Sequence, residues 1–298
     1  MTDSVPTLGF IGLGVMGGPM CRNVVNKHPG AVWASDMSAD ALREAGEAGA
    51  KVAGSIAEVT ANAEIVFLSL PGGKQVEAVC LGEGGLASSA RPGLTVIDLS
   101  TTGVAEARDI AARLGEQGIA FIDAPVARTR QAAIDGTLSI MVGASPEQFT
   151  RLEPLIRYMA SEVSLCGEVG CGQVVKLVNN TLNFVHVLIL AEQMVSAERA
   201  GVAPQVLLEA VSKGSGDSFV LRNHGMKSMV PRDFPEKSFP PEYVLKDLGY
   251  SIELARSMGV DPQISDLAEK YYQAAVEQGY GGRYFPAVIE MIDKGKMP

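Results

Sequence analysis

The first half of the chain alternates short runs of β-branched and apolar residues with Ala-rich stretches of helical spacing, the pattern of βα units on a parallel sheet. Strands are expected at Thr7–Ile11, Ala31–Ser35, Ile65–Leu70, Thr95–Leu99, Ala120–Asp123 and Leu138–Val142. Between them, helices are expected at Met16–Lys27, Ala39–Gly46, Gly73–Cys80, Val104–Glu116 and Pro146–Met159. Several strands run into Gly, Pro or polar residues, among them Gly12, Asp36, Pro71 and Ser100. In a doubly wound sheet those carboxyl ends form the ligand crevice. After Cys166 the β-branched runs vanish and long amphipathic helices take over, at Gly172–Ala200, Pro204–Lys213, Tyr243–Met258 and Pro262–Gln278. The pattern therefore divides the chain into an α/β domain over residues 1–167 and an all-α domain over 168–298, joined by a long helix at about 172–200. Residues 214–242, rich in Gly, Ser and Pro, carry no clear period and are a candidate cap over a pocket.

Composition narrows the partners more than it alters this picture. With 298 residues, 47% hydrophobic and 20% charged, the chain suits two ordered domains. Acidic residues outnumber basic ones by 34 to 25, a formal charge of −9, and no Lys/Arg cluster stands against that background. Nucleic acid and anionic membranes are poor partners on that balance, so an anionic substrate must be met by a few placed cations. The four cysteines, Cys21, Cys80, Cys166 and Cys171, form no CxxC pair, and with three histidines in the chain no metal site is expected. Residues 1–7 show no basic segment leading into an apolar stretch, which points to a cytoplasmic, reducing setting without structural disulfides. The longest apolar region, Val174–Val195, is interrupted by Lys176, Asn179, Asn180, Asn183, His186, Glu192 and Gln193 and reads as a buried helix rather than a membrane span.

Chemistry enters first at Gly12-Leu13-Gly14-Val15-Met16-Gly17, a GxGxxG that follows a strand and opens a helix. Gly12 allows the tight turn, Gly14 leaves room for a pyrophosphate, and Gly17 lets the helix pack on the sheet. Asp36, 22 residues after Gly14 at the end of the second strand, is placed to accept hydrogen bonds from ribose hydroxyls and to repel a 2′-phosphate. Met37-Ser38 brings no Arg to hold such a phosphate, so NAD (NADH) is favoured over NADP. The competing reading is a glycine-rich turn in some other α/β protein. The N-terminal domain is thus expected to be of the Rossmann type.

A second feature lies one turn into the long helix. In Gly170-Cys171-Gly172-Gln173-Val174-Val175-Lys176-Leu177-Val178-Asn179-Asn180 a lysine stands on an otherwise apolar segment. At about 100° per residue Asn180 and Asn183 fall with Lys176 within an arc of about 60°, one polar stripe along a buried face. Hydride transfer to or from an alcohol needs a group that takes and returns the hydroxyl proton. A lysine serves when burial brings its pKa toward neutrality. The competing reading is that Lys176 snorkels to the surface while the asparagines satisfy buried backbone.

With these segments in hand the sequence resembles the β-hydroxyacid dehydrogenase family, the 3-hydroxyisobutyrate dehydrogenase-like enzymes. The matching pieces follow family order along nearly the whole chain: Gly12–Gly17, Leu70-Pro71, Asp98-Leu99-Ser100-Thr101, Asp123-Ala124-Pro125-Val126, Gly136-Thr137-Leu138, Gly170 through Asn180, and Lys246-Asp247-Leu248. The resemblance implies that Lys176 is the catalytic acid/base and Asn180 its partner or a substrate ligand. It further implies that Ser100 serves the substrate, that Leu70, Pro71, Gln75 and Thr101 line the cofactor, and that Lys246 reaches it from the helical domain. It also implies a homodimer or homotetramer built through that domain.

One stretch departs from the pattern. After Asp123-Ala124-Pro125-Val126 most members carry Ser-Gly-Gly, which binds the substrate carboxylate; this chain has Ala127-Arg128-Thr129. The Arg-Thr pair resembles the sulfolactaldehyde reductase branch and implies a small substrate with a terminal anion, sulfonate or carboxylate, held by Arg128 and Thr129. An exposed loop arginine is the plainer alternative. Two other functions remain open on this scaffold, an imine reductase and an inactive NAD-binding protein, and the presence of Lys176 and Asn180 weighs against both. Asp123 reads as structural, ordering the loop before Pro125, and His186, about 80° around the helix from Lys176, as a packing or interfacial residue.

Overall fold

The computed structural model describes residues 5–90, 92–236 and 238–298. Two compact units are distinguished, one ending at Lys176 and the other covering Leu177–Pro298. In the first, a sheet is built from β1 (Leu8–Ile11), β2 (Val32–Ser35), β3 (Lys51–Val52), β4 (Ile65–Leu68), β5 (Thr95–Asp98), β6 (Ala120–Asp123), β7 (Val126–Ala127), β8 (Leu138–Gly143) and β9 (Ala160–Gly167). Its order is β3-β2-β1-β4-β5-β6-β8-β7, with β9 paired to β8. Strands β1 to β6 run parallel, and β8 lies antiparallel to β6 and β7. Order reverses at β1, which pairs with both β2 and β4, so the crevice of a doubly wound sheet falls at the end of β1.

The central strands are buried on both faces, which is why they read as unbroken apolar runs. Alternate residues serve opposite layers: Leu8, Phe10, Ile65 and Phe67 join one apolar cluster, Ile11, Val66 and Leu68 the other. Helices α1 (Gly17–Lys27), α2 (Ala39–Glu47), α3 (Ile56–Asn62), α4 (Gly73–Leu81), α5 (Leu86–Ser89), α6 (Val104–Gly115), α7 (Arg130–Asp135) and α8 (Pro146–Ile156) connect the strands. Local chemistry sets several of their starts. Ser38 and Ser55 accept hydrogen bonds from the backbone of Ala41 and Glu58, and Ser145 forms a reciprocal cap with Gln148 ahead of Pro146.

Helix α9 (Cys171–Arg199) starts in the first unit and supplies core to the second. It is long and apolar enough to cross a membrane, with mean hydropathy 1.5 over 18 residues. One side of it packs as core, with Phe184, Val187, Leu188, Ala191, Met194 and Val195 buried in the apolar cluster of the second unit. That unit adds α10 (Pro204–Val211), α11 (Pro241–Ser257), α12 (Gln263–Ala275) and α13 (Val288–Asp293). The helix expected to run from Pro262 to Gln278 instead stops at Ala275 and widens into a π-type turn, Val276–Tyr280, where Gly279 takes φ +87°. Part of the unplaced segment 214–242 is a second π-type helix, Leu221–Met229, with Leu221 and Met229 in the core.

That second π-type helix buries His224 among Phe219, Tyr284 and Phe285. Its Nδ1 pairs with the Tyr284 hydroxyl at 2.8 Å, while Nε2 is buried without a partner among the described residues. Burial pulls the imidazole down from 6.5 to about 4. Between those values the unfolded chain holds a proton that the folded chain refuses. This residue therefore makes stability fall as pH drops from about 6.5 toward about 4, by up to about 1.4 kcal/mol per pH unit. Asp98 and Asp123, both raised to about 6, act in the opposite sense over part of that range. A His224→Gln variant isolates the effect: its unfolding free energy minus that of the wild type should become more positive on acidification. A pH-independent difference would refute the assignment.

Candidate active site

The glycine-rich loop sits where β1 ends. Gly12 takes φ +92°, and a Cβ there would run into the carbonyl of Ser69. A Cβ on Gly17 would run into the carbonyl of Gly12, so the loop and α1 touch backbone to backbone. Gly14 differs, for among the described residues, its chain neighbours aside, nothing lies within 4 Å of the place its Cβ would take. Leu13 is buried behind the loop, Val15 is exposed, and Met16 precedes α1. Asp36 accepts the N–H of Leu13 at 2.5 Å and of Ser38 at 2.8 Å, one on each carboxylate oxygen. Each oxygen retains lone-pair capacity for a ribose hydroxyl.

Beside this loop lies a crevice of about 260 Å³ lined by Gly14, Val15, Arg22, Ser38 and Arg130 among others. Arg22 is 3.6 Å from Glu44, a loose and solvent-exposed pair. Sequence reasoning did not single out either arginine, because each looks like an ordinary surface residue until α1 and α7 pack together. The packing is fixed by Asn23, whose Nδ2 donates to the carbonyls of Ala133 and Ile134.

At the ends of β4 and β5 the other expected cofactor residues gather. Leu70 and Thr101 are half-buried, and Pro71 and Gln75 are exposed around the start of α4. Ser100, expected at the substrate, is buried and fully engaged by protein. Its Oγ accepts the N–H of Leu70 at 2.9 Å, its N–H donates to Asp98, and its carbonyl accepts Gln173 Nε2. Asp98 also accepts the Thr102 hydroxyl at 2.9 Å. Its register partner Asp123 accepts the N–H groups of Gly170 and Gln173 at 2.7 and 2.8 Å. Burial pushes both carboxyls up to about 6, against the pull of these hydrogen bonds.

Lys176, on the second turn of α9, is 8% exposed, so the surface-snorkelling alternative does not hold. Asn180, one turn on, is buried in the second unit, where its Nδ2 donates to Asp247 at 2.7 Å and its Oδ1 accepts from Asn179. Lys246 pairs with Asp247 at 2.9 Å, off the angle of a good hydrogen bond, and lies 5.3 Å from the Tyr250 ring centre. Asn183 and Thr181 on the same helix present buried oxygens without a partner among the described residues.

Arg128 and Thr129 occupy the loop between β7 and α7. The Thr129 hydroxyl accepts the N–H of Ala132 and caps α7. Arg128 is exposed, and its Nη1 donates to the Thr137 carbonyl at 2.6 Å and to Ser161 Oγ at 2.9 Å. Its backbone takes φ +86°, the left-handed region that favours glycine. An arginine thus holds a backbone conformation suited to glycine, at a strain of about 1 kcal/mol.

Among the described residues no group of three His, Cys, Asp or Glu side chains is placed to hold a metal, and all four cysteines are free thiols. A family model for the NAD-binding domain of 6-phosphogluconate dehydrogenase matches residues 7–167. A second, for the NAD-binding domain of NADP-dependent 3-hydroxyisobutyrate dehydrogenase, matches residues 170–292. The chain is 32% identical to 2-(hydroxymethyl)glutarate dehydrogenase of Eubacterium barkeri, over 96% of this chain and 95% of that one. It is also 32% identical to NAD-dependent L-serine dehydrogenase of Pseudomonas aeruginosa, over 96% and 97%. The structure of 3-hydroxyisobutyrate dehydrogenase from Mycobacterium tuberculosis with L-serine superposes with a TM-score of 0.89 at 29% identity, covering 97% of this chain and 99% of that one. Taken with the glycine-rich loop and Asp36, these matches show that the chain belongs to the β-hydroxyacid dehydrogenase family and is an NAD-dependent oxidoreductase.

Proposed function

We propose that the protein interconverts a small 3-hydroxy acid and its semialdehyde, with Lys176 as the proton-transfer group and a terminal substrate anion held by Arg128 and Thr129. The observation that carries this reading is the burial of Lys176 on a helix whose first turn is bonded to the ends of β5 and β6. The residues present fit the dinucleotide: Gly14 opens onto space that a side chain would fill, and Asp36 offers carboxylate acceptors beside the loop. Arg22 and Arg130 bring the local cations that a pyrophosphate needs on an acidic protein. When bound, NAD supplies the hydride acceptor, and NADH the donor, at the nicotinamide ring.

The chain's own residues do the rest. Lys176 in its amine form takes the hydroxyl proton during oxidation, and as ammonium returns it to the carbonyl oxygen during reduction. Asn180, buried one turn on, orients a polar partner without adding charge. Arg128 uses Nη1 within the protein and keeps its Nε and Nη2 edge for an oxyanion. The substrates in the names of the relatives, L-serine and 2-(hydroxymethyl)glutarate, each join an alcohol to a carboxylate, which supports the substrate class. On the long helix Val178, Leu182 and Ile189 stand exposed in a row, a face suited to the oligomer implied by the family resemblance.

The test is NADH oxidation against succinic, methylmalonic and tartronic semialdehydes and sulfolactaldehyde, with the hydroxy acids and NAD in reverse. At least one pair should turn over, and silence across the panel would leave only a binding protein. Arg128→Ala should then raise KM for the active substrate by about 10-fold or more, the loss of a charged hydrogen bond of about 1.5–3 kcal/mol, with kcat little changed. Arg128→Gly, which removes the same guanidinium but suits φ +86°, should be more stable than the alanine variant by about 1 kcal/mol. An unchanged KM would take Arg128 out of the substrate site.

A further inference from the structure

Asp123 sits at the end of β6, fully buried, and its two carboxylate oxygens each accept a backbone N–H from the start of α9: Gly170 on Oδ1 and Gln173 on Oδ2. These are donors that a helix start leaves without internal partners, and the positive end of the helix dipole favours a carboxylate there. Gln173, also fully buried, closes the grip from the other side. Its Nε2 donates to the Ser100 carbonyl at 2.9 Å, and its Oε1 accepts the Thr102 N–H at 3.1 Å. The segment that receives it is itself held, because Asp98 accepts from Ser100 N and Thr102 Oγ1, and Ser100 Oγ accepts from Leu70 N. Close approach makes the joint rigid: a Cβ on Gly172 would meet the Met141 carbonyl and Asp123, and one on Gly143 would meet Asp123.

We infer that Asp123 and Gln173 are positioning residues for Lys176, fixing the first turn of α9 to the ends of β5 and β6. Lys176 follows Gln173 by three residues, less than one helical turn, so its Cα inherits the placement of that turn. A misplacement of about 1 Å at a reacting group costs on the order of 100-fold in rate. The joint joins the proton-transfer lysine to the strand ends without either positioning residue touching substrate. This inference rests on Lys176 being the proton-transfer group only for its consequence in turnover; the placement itself is read separately.

The experiment uses Asp123→Asn, whose amide nitrogen would oppose one of the two N–H donors, and Gln173→Met, which keeps the volume and loses both hydrogen bonds. Two quantities are measured on each variant per NADH-binding site: kcat, and the rate at which an acetylating reagent labels Lys176, read by peptide mass spectrometry. The labelling rate should rise about tenfold and kcat should fall about 10- to 100-fold, with the NADH dissociation constant and substrate KM within about threefold of wild type. Faster labelling with kcat unchanged would uphold the placement and refute the role of Lys176 in proton transfer. Labelling at the wild-type rate in both variants overturns the inference. Loss of NADH binding in both would assign the pair to folding and overturn it as well.

Discussion

Lys176→Ala is expected to lower turnover by about 10²- to 10⁴-fold while NADH binds almost as in the wild type. The side chain is 8% exposed and stands on a helix whose first turn is fixed to the sheet, so its ammonium does not sample bulk water freely. The residues proposed to hold the dinucleotide are elsewhere: the loop Gly12–Gly17 and Asp36 lie at the ends of β1 and β2. On the proposed mechanism, removing the amine takes away the proton acceptor and leaves the glycine-rich loop and Asp36 in place. Losses in kcat and in kcat/KM should be equal within a few-fold, because a group that acts only as the proton moves contributes little to ground-state binding. Single-turnover oxidation of NADH, monitored with fluorescence titration of NADH itself, separates the two. Turnover within tenfold of wild type would remove the lysine from the chemistry.

How much of this was legible in the sequence depends on whether a residue announces its surroundings. Strands β1, β4, β5 and β6 are buried on both faces, and their apolar runs gave them away to within one or two residues. Strand β9 was not anticipated, because it pairs with β8 alone and its Glu162, Ser164 and Cys166 alternate with only Val163 and Leu165, too few apolar positions to mark it. Two-residue strands such as β3 and β7 leave no period at all. The π-type segments at Leu221–Met229 and Val276–Tyr280 shift register relative to a regular helix, so a period near 3.6 residues overlooks the first and overruns the second.

The site divides in the same way. Gly12, Gly17 and Asp36 act through short-range backbone geometry that motif spacing encodes, and Lys176 stood out as a charge on an apolar helix. Asp123 was legible as structural but not as the carboxylate that holds the start of α9, since its partners lie 47 and 50 residues away. Arg128 was read as replacing a glycine cradle. The structure adds that the Arg128 backbone adopts the left-handed conformation that glycine favours.

The sharpest separation of stability from binding is expected between Gly17→Ala and Gly14→Ala. In the first, the new methyl has no room: the Gly12 carbonyl already fills its place, and α1 and β1 are both anchored in the core, through Met20 on the one and Leu8 and Phe10 on the other, all fully buried. Overpacking against backbone in a rigid core should destabilise the unit by about 3 kcal/mol or more, lowering Tm by several degrees and abolishing NADH binding with it. In the second, the methyl meets no protein atom within 4 Å, so Tm should stay within about 1–2 °C of wild type. Binding should nonetheless fall at least tenfold if, as proposed, the pyrophosphate approaches the backbone N–H groups at the start of α1 through the open space beside Gly14. Melting curves and NADH titrations on the two variants give the comparison directly. Should Gly14→Ala bind NADH as tightly as the wild type, the dinucleotide phosphates do not lie against this loop, and Asp36 loses its assignment to the ribose along with them.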